Sequence, residues 1–156
     1  MTDAVPNSTL SEHRLTITRV LDAPRELVWS AWTDPEQLSQ WWGPEHFHTP
    51  EDSVTIDLRA GGRFALTMVG PDGARYPSDG TFREVVEPER LVFGEDETEH
   101  PILERSETTV TFTDIGDART EMRLDLVLVC TDELPPMAER GWNSQFDKLD
   151  GYLARA

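Results

Sequence analysis

The chain has 156 residues, with 14 basic against 30 acidic side chains and a formal net charge of −16. A single domain is expected at this length, burying on the order of 70% of the surface its unfolded form exposes, enough for a core without disulfides or metals. The acidic balance excludes nucleic-acid binding, because phosphate backbones are held by Lys and Arg displacing counterions.

Residues 1–12 read as a flexible polar lead-in to one domain over 13–156. Within the domain, His13 to Leu21 alternates Leu15 and Ile17 with Thr16 and Thr18, the period of a half-buried strand. Asp22-Ala23-Pro24 ends that strand and opens a helix with Leu27, Val28, Ala31 and Trp32 on one stripe. Asp34-Pro35-Glu36-Gln37 starts a second helix, with Asp34 as N-cap, Pro35 in the first turn and Gln37 placed for a capping box. Leu38, Trp41 and Trp42 form its apolar face, and Gly43-Pro44 stops it.

From Val54 to Val129 the period becomes two, with breaks at Gly61-Gly62, Pro71-Asp72-Gly73, Pro88-Glu89 and Gly116-Asp117. Six strands are predicted. Their inward alternates are Val54, Ile56, Leu58, Phe64, Leu66, Met68, Phe82, Val92, Val110, Phe112, Met122, Leu124, Leu126 and Leu128. Thr55, Asp57, Arg59, Thr109, Thr111, Thr113, Arg123 and Asp125 fall on the opposite, solvated face of an antiparallel sheet. The apolar face needs a cover, and after Pro135-Pro136 the residues Ala138, Trp142, Gln145, Phe146, Leu149 and Leu153 recur at helical spacing. A helix of roughly 20 residues there spans about 30 Å, the width of a small domain. The predicted class is α+β: strand, two short helices, six strands, long helix.

Cys130 is the only cysteine, which rules out an intramolecular disulfide, a CxxC redox pair and a thiolate zinc cluster. His46 and His48, near Glu45 and Glu51, have no metal-ligand spacing. No Gly-x-Ser-x-Gly elbow occurs, and Gly61-Gly62 lacks the spacing of a phosphate loop. No metal and no cofactor is therefore expected. The first ten residues hold neither a basic nor an apolar leader region, so a cytoplasmic protein without membrane insertion is expected.

The order of elements and a set of local motifs resemble the SRPBCC superfamily, the START and Bet v I-like helix-grip proteins. The motifs are Ala23-Pro24-Arg25-Glu26-Leu27-Val28-Trp29 with Trp32-Thr33-Asp34-Pro35-Glu36, Trp41-Trp42-Gly43-Pro44, Asp57-Leu58-Arg59-Ala60-Gly61-Gly62-Arg63-Phe64, Gly80-Thr81-Phe82-Arg83-Glu84-Val85, Pro88-Glu89-Arg90-Leu91-Val92-Phe93 and Gly141-Trp142. Within that superfamily they are similar to the bacterial relatives of the activator of the 90-kDa heat-shock protein ATPase, over about Arg14 to Leu153. The resemblance implies a curved, seven-stranded antiparallel sheet wrapped around the C-terminal helix, with two short helices between the first two strands. It also implies a cavity between sheet and helix that often takes an apolar ligand, but no common reaction.

Against that frame, Trp41 and Trp42 stand where they either roof a cavity mouth or plug the core. Phe64, Met68, Phe82, Met122, Trp142 and Phe146 face the space between sheet and helix, as ligand contacts or as core filling. Tyr76 joins them as a cavity candidate. Three functions stay open. The preferred one is binding of a small hydrophobic or aromatic molecule. The second is a cofactor-free cyclase, dehydratase or hydrolase in which Tyr76, His46, His48 or Glu84 serves as acid or base. The third is an interaction module with a filled core, acting on a chaperone or another protein; a homodimer is compatible with all three. The eukaryotic activators carry a separate N-terminal domain that 156 residues do not accommodate, so a chaperone partner ranks below a small molecule.

Overall fold

A computed structural model of the chain describes residues 9–98 and 100–155. The expected lead-in falls outside these as far as residue 8, and its end moves: β1 spans Ser11–Leu21. It pairs with a later strand from Ser11 opposite Cys130 to Leu21 opposite Thr120, so main-chain hydrogen bonds recruit Ser11 and Glu12 despite their polar side chains.

Helix α1 (Arg25–Thr33) buries Val28, Trp29, Ala31 and Trp32, while Leu27 is exposed. The stripe is thus rotated from the expected one, because the large Trp29 ring takes the inward position and meets Phe112 edge-on at 5.9 Å. Helix α2 (Pro35–Leu38) is a single turn. Asp34 caps it by accepting from the Glu36 N–H at 3.1 Å. Gln37 does not close a capping box: the Asp34 N–H already donates to the Ser30 carbonyl at 2.9 Å, so the Gln37 amide bonds the Asp34 carboxylate instead, at 3.1 Å.

The remaining strands are β2 (Thr55–Ile56), β3 (Arg63–Val69), β4 (Arg75–Val86), β5 (Arg90–Glu95), β6 (Leu103–Gly116) and β7 (Arg119–Cys130). With β1 they form one curved seven-stranded sheet in the order β1-β7-β6-β5-β4-β3-β2, antiparallel throughout. Two expected inward residues are corrected. Leu58 is 37% exposed, because β2 ends at Ile56 and the chain turns back through Asp57–Gly62. Glycine is required in that turn: a Cβ at Gly62 would stand 1.9 Å from the Asp57 carbonyl oxygen. On β5 the inward residues are Leu91 and Phe93, with Val92 between them on the other face. Leu91-Val92-Phe93 is apolar throughout and has no internal phase; the ladder sets it, with Phe93 opposite Phe82 and Leu91 opposite Val110.

Helix α3 (Leu134–Arg155) runs 22 residues and buries Gln145, Phe146, Leu149 and Leu153 in the apolar core formed with the sheet. Arg19 of β1 fastens it from the sheet edge, with Asp147 at 2.9 Å and Asp150 at 3.2 Å. At the centre Trp32 touches Trp41, Trp42, Phe93, Phe112, Trp142 and Phe146, with ring centroids 5.0–6.3 Å away. No helix among the described residues is long and apolar enough to cross a membrane.

Candidate functional site

The site is built where the segment after α2 meets α3. Trp41-Trp42 ends in Gly43, whose φ of +104° favours glycine. Side chains from little more than one turn of α3 hold the segment that follows. The Gly43 N–H donates to Gln145 Oε1 at 3.0 Å, and the Glu45 N–H donates to Ser144 Oγ at 2.7 Å. Lys148, the sole lysine, donates from Nζ to the carbonyl oxygens of Gly43 at 2.8 Å and Phe47 at 3.1 Å. Burial holds the pKa of its ammonium below the usual lysine value.

This clasp presses Trp42 and Pro44 against one end of a cavity of about 340 Å³ between the first half of α3 and the concave sheet. Its walls are aromatic at Trp42, Phe64, Phe93 and Trp142, and aliphatic at Leu66, Met68, Leu126 and Leu128. Gly141 contributes no side chain, and a Cβ built there would meet nothing within 4 Å. Its cost to an α-helix, about 1 kcal/mol relative to Ala, leaves room at this wall. Ser78, Ser106, Thr108, Glu95 and Gln145 supply a few polar groups, and the exposed Ser78 marks where the space reaches solvent. The size falls within the range of small-molecule pockets, about 300–1,000 Å³, as does the pattern of mostly apolar walls with few polar groups.

Of the residues expected to face this space, Trp42, Phe64, Met68 and Trp142 line it. Five are corrected. Trp41 is enclosed because its indole N–H donates to the Ala31 carbonyl at 3.0 Å, drawing the ring beneath Trp32. Phe82 stacks on Phe64 at 5.2 Å and 11°, behind the wall that Phe64 forms. Met122 and Phe146 are fully buried in the core. Tyr76 lies 44% exposed, with its ring 5.6 Å from Phe47.

The acid–base candidates do not converge. His46 and His48 are exposed, Glu84 pairs with Arg90 at 2.9 Å on the outer face, and none of them, nor Tyr76, is in the cavity wall. Among the described residues Glu95 is the one ionisable residue lining it, and its carboxylate accepts from the Asp79 N–H at 2.6 Å. Asp57 and Arg59 form an exposed surface pair at 2.9 Å. Burial pushes the Cys130 thiol up, toward the unreactive neutral form. Among the described residues no three His, Cys, Asp or Glu side chains gather as metal ligands.

Two functional features lie outside the expected set. Lys148 reads as an ordinary exposed lysine, and its carbonyl partners are more than 100 residues away, which local pattern does not reveal. Gln145 carried a signal, as the one polar residue on the apolar stripe of α3. It is 5% exposed, and its Nε2 is one of three buried side-chain nitrogens without a partner among the described residues. The other two, Arg25 Nε and Trp32 Nε1, do not belong to residues in the cavity wall.

Comparison with known proteins gives a consistent picture. The family model described as activator of Hsp90 ATPase homolog 1-like protein matches residues 22–154. The crystal structure of an AHSA1 protein from Silicibacter pomeroyi superposes with a TM-score of 0.78 at 27% identity, covering 91% of this chain and 98% of that one. The solution structure of an AHSA1-like protein from Aeromonas hydrophila gives 0.75 at 28% identity, over 92% and 93% of the two chains. A crystal structure from Mycobacterium smegmatis is 31% identical over 90% of each chain, with a TM-score of 0.69. No curated protein matches the chain.

Proposed function

We propose that this chain, which belongs to the activator of Hsp90 ATPase homolog 1-like family of the SRPBCC superfamily, binds a small hydrophobic or aromatic molecule in the cavity between its sheet and α3. The observation that carries the reading is the cavity itself: about 340 Å³ walled by four aromatic rings and by aliphatic side chains, beside a buried apolar core. Aromatic walls offer flat, polarisable surface to a flat apolar guest. The enzyme reading lacks such support, since Tyr76, His46, His48 and Glu84 all lie outside the cavity wall. A small cavity ligand therefore takes precedence over catalysis.

The test is a titration with 1-aminoanthracene, a neutral apolar fluorophore whose binding is read as quenching of tryptophan emission. Wild-type protein is expected to bind it saturably at one site. Gly141→Leu, which puts a side chain where Gly141 leaves room, is expected to weaken binding at least about ten-fold while keeping a cooperative melting transition. Absence of saturable binding, or equal binding by a folded Gly141→Leu protein, would overturn the reading.

A further inference from the structure

Resting on the cavity reading above, we infer that the ligand is a neutral, largely apolar molecule carrying a hydrogen-bond acceptor such as a carbonyl oxygen, and that the amide of Gln145 is the group that receives it. The amide has one orientation. Its Oε1 faces the Gly43 N–H, a donor, at 3.0 Å, so the NH₂ end is Nε2. That end is buried and meets no acceptor among the described residues, although Gln145 lines the cavity. The clasp at Gly43 also prevents the side chain from swinging away to find one. A buried N–H left unmet carries a desolvation cost in the free protein, so a ligand that brings an acceptor to Nε2 relieves it, while a ligand without one leaves it in place.

Charge narrows the class further. Among the described residues the cavity lining holds one ionisable side chain, Glu95, and no Lys, Arg or His. A carboxylate ligand would meet no cation there and would face the Glu95 carboxylate within a protein of net charge −16. Lys148 supplies no counter-charge, because it stands outside the cavity wall with Nζ directed to the Gly43 and Phe47 carbonyls. Fatty-acid anions and aromatic acids are thereby disfavoured; ketones, esters, lactones and quinones fit. Nε2 has no accessible surface in the free protein, so a small shift of the cavity wall brings it to the acceptor while the Trp42 and Trp142 rings take the apolar body.

Three probes of matched shape separate this inference from the cavity reading: 2-acetylnaphthalene, 2-isopropylnaphthalene and 2-naphthoate, with dissociation constants from equilibrium dialysis at pH 8. Wild-type protein is expected to bind the ketone about five-fold more tightly than the hydrocarbon, the scale of one net hydrogen bond, and the carboxylate most weakly. In Gln145→Met the ratio of ketone to hydrocarbon affinity is expected to fall to about one, with the hydrocarbon still bound. Gln145→Glu keeps an acceptor for the Gly43 N–H, removes the amide donor, and should lose the ketone preference in the same way even if Gln145→Met does not fold. Equal affinity of the wild type for ketone and hydrocarbon, tightest binding of the carboxylate, or a ratio unchanged in either variant would overturn the inference while leaving the cavity reading standing. Failure of all three probes to bind wild-type protein would overturn both.

Discussion

Lys148 donates from Nζ to the carbonyl oxygen of Gly43 at 2.8 Å, and Gly43 is the same residue whose N–H is taken by Gln145 one turn earlier on α3. Both polar atoms of one glycine are thus held by one helix, fixing Trp42 beside the cavity. Replacing the ammonium by an apolar group of similar length tests this. Lys148→Met should lower the unfolding free energy by about 1.5–3 kcal/mol, the range for hydrogen bonds made by a charged group. Urea denaturation checks the loss, and amide exchange should quicken over residues 43–47 before it does in β6 and β7.

Burial holds the Lys148 pKa below its usual value, so folding favours the neutral amine over the ammonium. Raising the pH through the folded-state pKa toward the ordinary lysine value therefore stabilises the fold, because the unfolded chain then binds more protons. Relative to Lys148→Met, wild-type protein should gain stability over this alkaline interval, which paired melts from pH 8 upward would detect.

Asp125 behaves in the opposite sense. Burial raises its pKa, but hydrogen bonds from Arg123 at 3.0 Å and from Thr16 at 2.8 Å outweigh that and leave it lowered. A carboxylate lowered by folding contributes stability above its unfolded value and loses it as pH falls through the folded one. Asp125→Asn should therefore be less stable than wild type at pH 7, with the gap closing below about pH 4. Parallel acid-denaturation curves with a constant gap would contradict this.

Trp142 lies nearly parallel to Trp32, with 17° between the rings and centroids 6.3 Å apart, and meets Trp42 edge-on at 5.4 Å. Because it is half-buried, Trp142→Leu should cost about 2–3 kcal/mol, less than truncation of a fully enclosed tryptophan. Gly141→Ala, beside it, should stabilise the helix by about 0.5–1 kcal/mol. Urea titrations of the two variants check both signs.

The frame of the molecule was legible because its signals are local. The turn at Gly61-Gly62, the cap at Asp34 and the stripe of Phe146, Leu149 and Leu153 each follow from neighbouring residues, and the family motifs added the curvature of the sheet. What local pattern does not carry is depth. Trp41 and Trp42 are adjacent and alike, yet a hydrogen bond to Ala31 buries the first and the clasp at Gly43 brings the second to the cavity. Phe64 and Phe82 face the same interior, but stacking puts one in front of the other. The phase of Leu91-Val92-Phe93 came from pairing across the sheet rather than from its own alternation. Gln145 was visible as a polar residue on an apolar stripe; its meaning required the partner 102 residues away.

The most direct test of a ligand between sheet and helix is to locate one. Protein with ¹³C-labelled Met and Leu methyl groups, saturated with unlabelled 2-acetylnaphthalene, would be examined for nuclear Overhauser contacts from the ring protons. Contacts to the methyl groups of Met68, Leu126 and Leu128, which line the cavity, are the predicted result. Contacts confined to exposed methyl groups such as those of Leu27 and Met137, with none from the cavity wall, would contradict the account.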